Sequence, residues 1–154
     1  MESSRKIAAQ LIVKWPEKSY HLAMRWIEFN PNPQGRRVGD CAVRAVSKAL
    51  DTTWETAFGL LAKKAFEMAD MPSSDAVWGA VLRDHGFQRY AIPNQCPDCY
   101  IASDFCADRP RGVYVLAFGG HVATVVDGKL YDTWDSSDLV PQYYWVDGRH
   151  YNGI

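Results

Sequence analysis

The sequence predicts an α+β fold, with helices first and an antiparallel sheet in the C-terminal half. Three observations carry that expectation. Helical periodicity begins at Cys41 and recurs in two further segments up to Gly86. Beyond Gly112 the runs "GVYVLAF", "HVATVV" and "KLYDTW" are short, β-branched and aromatic, as strands are. Between the last two stands Asp127-Gly128, a strong two-residue hairpin signal.

The elements follow in order. Ile7–Val13 is apolar enough for a strand or a short helix, and periodicity alone does not separate them. Arg25–Asn30, "RWIEFN", alternates like a half-buried strand, and the Pro- and Gly-rich Asn30–Gly35 is a loop. Asp40 is placed to cap the first helix by accepting from its free N–H groups. Ala42, Ala45, Val46, Ala49 and Leu50 form that helix's buried stripe. A second helix is expected near Thr52, with Thr52 and Glu55 as a capping box. Its apolar face is Trp54, Phe58, Leu61, Ala62, Ala65 and Phe66. Ser74 caps a third helix that ends at Gly86. A last strand is expected at "YYWV" near the C-terminus.

Bulk properties narrow the class. A chain of 154 residues reads as a single domain. Apolar content is 47%, charged content 23% and net charge −1, so neither nucleic acid nor an anionic membrane is the expected partner. No apolar run approaches the ~18 residues that span a bilayer. No cleavable signal follows the short apolar "IAAQLIV", so a cytoplasmic setting is expected, with the four cysteines reduced.

The hairpin places two site candidates together. A two-residue turn at Asp127-Gly128 pairs Val126 with Lys129, Val125 with Leu130 and Thr124 with Tyr131. Continued, that register puts His121 and Asp132 on one face as diagonal neighbours. Asp127, Asp135 and Asp138 are not so placed. A carboxylate accepting the His N–H orients the ring and stabilises imidazolium. An imidazolium, a helix start and nearby arginines all lower a thiol's pKa. Cys41, His121 and Asp132 thus make an activated-thiolate constellation, with Cys41 as nucleophile, His121 as base then acid, and Asp132 orienting it.

These segments, "GDCAVRAVSKAL", "FGGHVATVV" and "YDTW", resemble the papain-like cysteine peptidase superfamily, in particular its short bacterial and phage members. The likeness covers residues 30–148 in outline and leaves 1–29 as an N-terminal extension. It implies a papain-like core, with N-terminal helices packed on the sheet, and peptide or isopeptide hydrolysis through an acyl-enzyme. It also implies that Trp134 shields the His–Asp pair. The family's oxyanion glutamine lies six residues before the cysteine. Here position 35 is Gly and Gln34 lies seven before, so Gln34, or Asn32 in its place, takes that role. Because an amide oxygen can still accept the His N–H, and such enzymes use Asn at the third position, Asp132→Asn is expected to be milder than Asp132→Ala. The Cys41–His121 separation of 80 residues (121 − 41) is short beside the ~130–150 of papain itself, as suits a core without large insertions.

Other readings use the same residues. Acyl transferases, amidases and transglutaminase-like enzymes share the triad, and an idle interaction module would keep the fold without the chemistry. "CPDCYIASDFC" offers Cys96, Cys99 and Cys106, with His85 or Asp104 as a fourth zinc ligand. The second C-x-x-C of a zinc site is missing, so neither metal nor cofactor is expected. Arg36, Arg37, Arg44 and Lys48 read as a basic rim or, more simply, a solvated helix face. The expected partner is a peptide or protein substrate, and the oligomeric state is left open.

Overall fold

The computed structural model describes residues 25–93 and 99–149. Ile7–Val13 and Cys96 lie outside the described residues. Within them the chain is α+β, with strands β1 (Trp26–Glu28), β2 (Phe87–Ala91), β3 (Val113–Phe118), β4 (His121–Val126), β5 (Lys129–Asp132) and β6 (Tyr143–Asp147). The helices are α1 (Cys41–Ala49), α2 (Trp54–Met68), α3 (Asp75–Asp84) and α4 (Ala102–Asp108). One six-stranded sheet runs β1-β5-β4-β3-β6-β2.

The sheet is mixed rather than antiparallel as expected. β1 pairs parallel with β5, Trp26 opposite Leu130 and Glu28 opposite Asp132. The alternation of "RWIEFN" marks a strand but carries no information on its partner or direction. β1 also fixes the end of β5. The Phe29 N–H donates to the Asp132 carbonyl at 2.8 Å, and Trp26 Nε1 donates to it at 3.2 Å.

Strand alternation divides the core in two. Val115, Ala117, Val122 and Trp145 face α1, α2 and α3. Leu116, Phe118, Ala123, Val125 and Leu130 face α4, with Phe105 and Cys106. Helix α1 is the central one. Ala42, Val43, Arg44, Ala45, Val46, Ser47 and Ala49 are all buried, so it is enclosed on nearly every side rather than along the one predicted stripe. A side-chain bond pins it to the sheet: Thr124 Oγ1, fully buried on β4, donates to the Ala45 carbonyl at 2.8 Å.

Helix α2 is capped one residue later than expected. Thr53, not Thr52, is the N-cap, and its Oγ1 accepts from the Thr56 N–H at 3.2 Å. The buried stripe accordingly falls on Ala57, Leu61 and Ala65, while Phe58 and Phe66 are exposed. Ser74 does precede α3, but its hydroxyl donates to Asp70 at 2.7 Å instead of capping through its side chain.

The β4–β5 hairpin has the predicted register: Val126 opposite Lys129, Val125 opposite Leu130, Thr124 opposite Tyr131. Asp127 and Gly128 have φ of 48° and 74°, the two positive values of a type I′ turn. Asp127 Oδ1 accepts from the Gly112 N–H at 2.9 Å, which ties the turn to the start of β3. A Cβ on Gly128 would lie 3.0 Å from the Cys106 carbonyl oxygen. Gly128→Ala is therefore expected to cost about 1–2 kcal/mol from backbone handedness alone. Asp127→Asn, which tolerates the same φ, should cost less. Urea unfolding of the two variants checks this, and equal stability of Gly128→Ala and wild type would contradict the turn.

Candidate active site

Cys41 is the first residue of α1, where the backbone N–H groups lack intrahelical partners. Its half-buried thiol is hydrogen-bonded to the His121 ring and to the Val122 backbone N–H. His121 opens β4, directly after the Gly119-Gly120 turn. Its Nε2 lies 2.5 Å from Oδ2 of Asp132, the last residue of β5, so Nδ1 is the nitrogen left for the thiol. The ring is in contact with Phe118 and Trp134, with centroids 6.0 and 5.2 Å away. Trp134, 45% exposed, is tilted against the ring at 42°. The structure thus brings Cys41, His121, Asp132 and Trp134 together.

The electrostatics favour the thiolate of Cys41 and the imidazolium of His121. Burial alone would raise the Cys41 pKa. The hydrogen bond and charge of His121, the Val122 N–H and the charge of Arg44 outweigh it, and the thiol ends below its ordinary value. Burial alone would lower the His121 pKa, but the bonds to Asp132 and Cys41 reverse this and raise it to about 9. Asp132 is opposed by burial too. The bonds from His121 and Ser136, the His121 charge and the Thr133 N–H together hold it below its ordinary value.

Asp132 is 1% exposed and every lone-pair direction is used. Oδ2 accepts from His121 and from Ser136 Oγ at 2.7 Å, and Oδ1 accepts from the Thr133 N–H at 2.8 Å and from Arg44 at 3.2 Å. Arg44 is 6% exposed and reaches across to Asp40 with its other Nη. The second Asp40 oxygen accepts from Trp54 Nε1 at 2.9 Å. This corrects two expectations. Asp40 occupies the N-cap position of α1 but makes no side-chain cap, because its carboxylate is taken by Arg44 and Trp54. Nor do the four basic residues form a rim. Arg44 is buried, Lys48 lies over the Tyr131 ring at 4.0 Å, and Arg37 pairs with Glu28 and donates to the Thr133 carbonyl at 3.0 Å. Sequence reasoning missed the role of Arg44, although Asp40 and Arg44 are at the i, i+4 spacing of a helical ion pair.

The loop before α1 carries the two oxyanion candidates. Asn32 Oδ1 accepts from the Gln34 N–H at 3.0 Å and the Arg36 N–H at 3.2 Å, so this side chain shapes the loop. Gln34 is exposed. The other cysteines are dispersed in role. Cys99 is disulfide-bonded, against the expectation that the four cysteines are reduced. That expectation rested on compartment alone, which says nothing about which sulfurs the chain brings within bonding distance. Cys106 is 1% exposed in the core under α4, and burial raises its thiol to about 11. Of the two residues considered as a fourth zinc ligand, His85 Nδ1 bonds to the Val81 carbonyl at 2.7 Å, and Asp104 accepts from the Ile101 N–H at 3.2 Å. No group of three or more potential metal ligands occurs among the described residues.

Comparison with known proteins finds no matching family model, no matching curated protein and no matching solved structure. No helix among the described residues is long and apolar enough to cross a membrane.

The ion pair has a measurable pH signature. Iodoacetamide should alkylate Cys41 ahead of Cys106, and its rate should fall less on acidification than the roughly tenfold per pH unit of an ordinary thiol below its pKa. His121→Ala leaves burial as the largest influence on the thiol and should slow alkylation at pH 7 about tenfold or more. A wild-type rate with ordinary thiol dependence would contradict the pairing. The same shifts set stability. The raised pKa of His121 gives a contribution fully present below its unfolded pKa near 6.5 and lost as pH rises through about 9. The lowered pKa of Asp132 gives one present above its unfolded pKa and lost as pH falls through the folded value.

Two substitutions test the Asp132 surroundings. The Thr133 N–H and Arg44 on the Oδ1 side can only donate, so the NH2 of Asp132→Asn turns toward Ser136 and His121, where it donates to Nε2 and holds the ring in the wrong tautomer. The substitution is therefore expected to be damaging rather than mild, approaching Asp132→Ala in Cys41 alkylation rate, with Asp135→Ala as the near-neutral control. Arg44→Met leaves Asp40 and Asp132 buried without their shared cation and should cost about 3–5 kcal/mol in urea unfolding. A loss below 1 kcal/mol would show that Arg44 is dispensable.

Proposed function

We propose that this protein is a cysteine hydrolase that cleaves a peptide or isopeptide bond through an acyl-enzyme, on a minimal papain-like core. The observation that carries the reading is the Cys41–His121–Asp132 line: a thiol at a helix start, bonded to a ring whose Nε2 is 2.5 Å from a buried carboxylate. Chain order, the His at the start of a strand and the Trp over its ring support the papain-like assignment.

Each residue has a chemical task. The Cys41 thiolate attacks the substrate carbonyl carbon, and the charge moves to the oxygen. The Cys41 backbone N–H, free at the helix start, and the exposed Gln34 amide are the proposed donors to that oxygen. Protonated His121 then gives its proton to the leaving nitrogen as the C–N bond breaks, which leaves a thioester on Cys41. Water attacks the thioester, the now neutral His121 takes its proton, and the acid product departs with the thiolate restored. Asp132 keeps the ring oriented through both steps, and Trp134 limits water at the His–Asp bond.

The test uses a simple activated ester. Treatment with p-nitrophenyl acetate should release about one equivalent of nitrophenolate per chain in a burst and leave an acetyl group on Cys41, followed by slow turnover. Peptide mapping locates the acetyl group. Cys41→Ala should abolish the burst, and Gln34→Ala should slow acylation about tenfold or more if the amide serves the oxyanion. Acylation of wild type no faster than of His121→Ala would refute the reading. Repeating the turnover with an added primary amine separates hydrolysis from transfer, because transfer diverts the acetyl group to the amine.

A further inference from the structure

We infer that the edge of β2, with the pocket beside it, binds an extended acidic peptide segment, which adds as one more strand and sets its carboxylates at Arg83 and Arg89. The inference does not rest on the Cys41 chemistry. Among the described residues β2 ends the sheet, and Gln88, Arg89, Tyr90 and Ala91 are all exposed. The Ile92 N–H donates to the Gln142 carbonyl and the Gly148 N–H to the Gly86 carbonyl, so Gln88 and Tyr90, in phase with them, bond to β6. By the same alternation the N–H and C=O of Arg89 and Ala91 point away from the sheet. Such a row of unpaired backbone groups is a template for another strand.

Two cations on one face of that edge select the partner. The pocket, about 410 Å³, lies between α3, β2 and β6. Arg89 pairs across with Trp145, whose side chain faces the helices α1–α3, so the Arg89 side chain is on that face too. It is held over the Tyr143 ring at 3.9 Å, and Arg83 is held over the Trp145 ring at 5.4 Å. Trp145 is fitted closely against Gly79, where a Cβ would lie 2.9 Å from Cζ2. The pocket's one carboxylate, Asp75, has both oxygens occupied. Oδ1 accepts from Trp78 Nε1 at 3.1 Å, and Oδ2 accepts from the Tyr143 hydroxyl at 2.8 Å. One Arg89 N–H goes to the Tyr143 hydroxyl. Among the described residues neither arginine makes an ion pair. A guanidinium held against an aromatic ring keeps its remaining N–H groups for a carboxylate, which it binds in a fork.

Strand addition brings acidic groups to these cations. A residue paired opposite Arg89 shares its sheet face, with Cβ atoms about 5 Å apart, and the residues two before and two after share it as well. Acidic residues at alternate positions are the pattern that fits. A second copy of this chain fits badly. Full antiparallel overlap of two β2 strands sets Arg89 opposite Arg89, and like charges so placed repel.

Fluorescence anisotropy of the labelled hexapeptide Thr-Glu-Thr-Glu-Thr-Glu tests the site, on the full chain carrying Cys41→Ala so that no cleavage intervenes. Saturable binding is expected, weakened about tenfold or more when the peptide's Glu residues become Gln. Arg83→Gln and Arg89→Gln should each weaken it about fivefold or more. Ala91→Pro removes an outward N–H and leaves the β2–β6 ladder intact, so it should weaken binding about fivefold with unchanged circular dichroism. The peptide backbone gives the same test without altering the protein. Only one of its edges meets β2, so N-methylating one alternate set of amides should cost about tenfold and the other set little. No saturable binding below about 1 mM overturns the inference. So does equal binding of the Gln peptide, or wild-type affinity in both arginine variants. Equal effects of the two N-methylated sets would leave an anion pocket without strand addition and overturn it too. A dimer that Ala91→Pro dissociates in sedimentation would give the edge to a second copy, with the same consequence.

Discussion

The buried carboxylate of Asp132 is the point on which the site is built. A lone carboxylate at 1% exposure would take up a proton rather than stay charged. Here four donors converge on it from three parts of the chain: His121 on β4, Ser136 and Thr133 beyond β5, and Arg44 on α1. Its backbone carbonyl is held as well, by the Phe29 N–H and the Trp26 indole. With both ends of the residue fixed, the orientation of Oδ2 toward His121 follows. The ring then has only Nδ1 to offer the thiol.

A fixed Asp132 would be useless if Cys41 could drift, and α1 prevents that. The helix is enclosed on nearly all sides, and its Ala45 carbonyl is tied to Thr124 on the same strand that begins with His121. Nucleophile and base are thus referred to one strand, the thiol through the helix and the ring directly. The Val122 N–H, next along that strand, donates to the sulfur and closes the frame. The energy that holds this frame is mostly apolar burial around α1, while the charged groups select one arrangement within it.

The sequence carried the hairpin more completely than any other feature. Asp127-Gly128 demanded a two-residue turn with positive φ, and the register that follows paired Thr124 with Tyr131 and aimed His121 at Asp132. That inference is local, so propensity and spacing suffice. The parallel partner of β1 is set by contacts across the whole molecule, and nothing in three residues encodes it. β2 and α4 were passed over for a similar reason. "FQRYA" has no regular alternation, and "ASDFCAD" sits in a cysteine-rich stretch where zinc spacing was weighed and set aside. Capping slipped by one residue because Thr52 and Thr53 are equal candidates until the fold chooses. Arg44 was read as solvated because a charged residue in a helix usually is. Its burial depends on two carboxylates, one a turn before it and one 88 positions away.

That long-range contact explains why the first two turns of α1 are spelled as they are. Asp40, Arg44, Asp132, His121 and Cys41 form a line in which each charge adjoins one of opposite sign. Removing any interior member takes a countercharge from both of its neighbours. Cys41 and Arg44 are three residues apart, on adjacent turns of the same helical face. One rigid element therefore carries both the nucleophile and the cation that anchors the orienting carboxylate. A rotation or slide of α1 that displaced the thiol would displace Arg44 from Asp132 in the same movement. The geometry of attack and the orientation of the base are held by a single packing decision, the seating of α1 against β4 and β5.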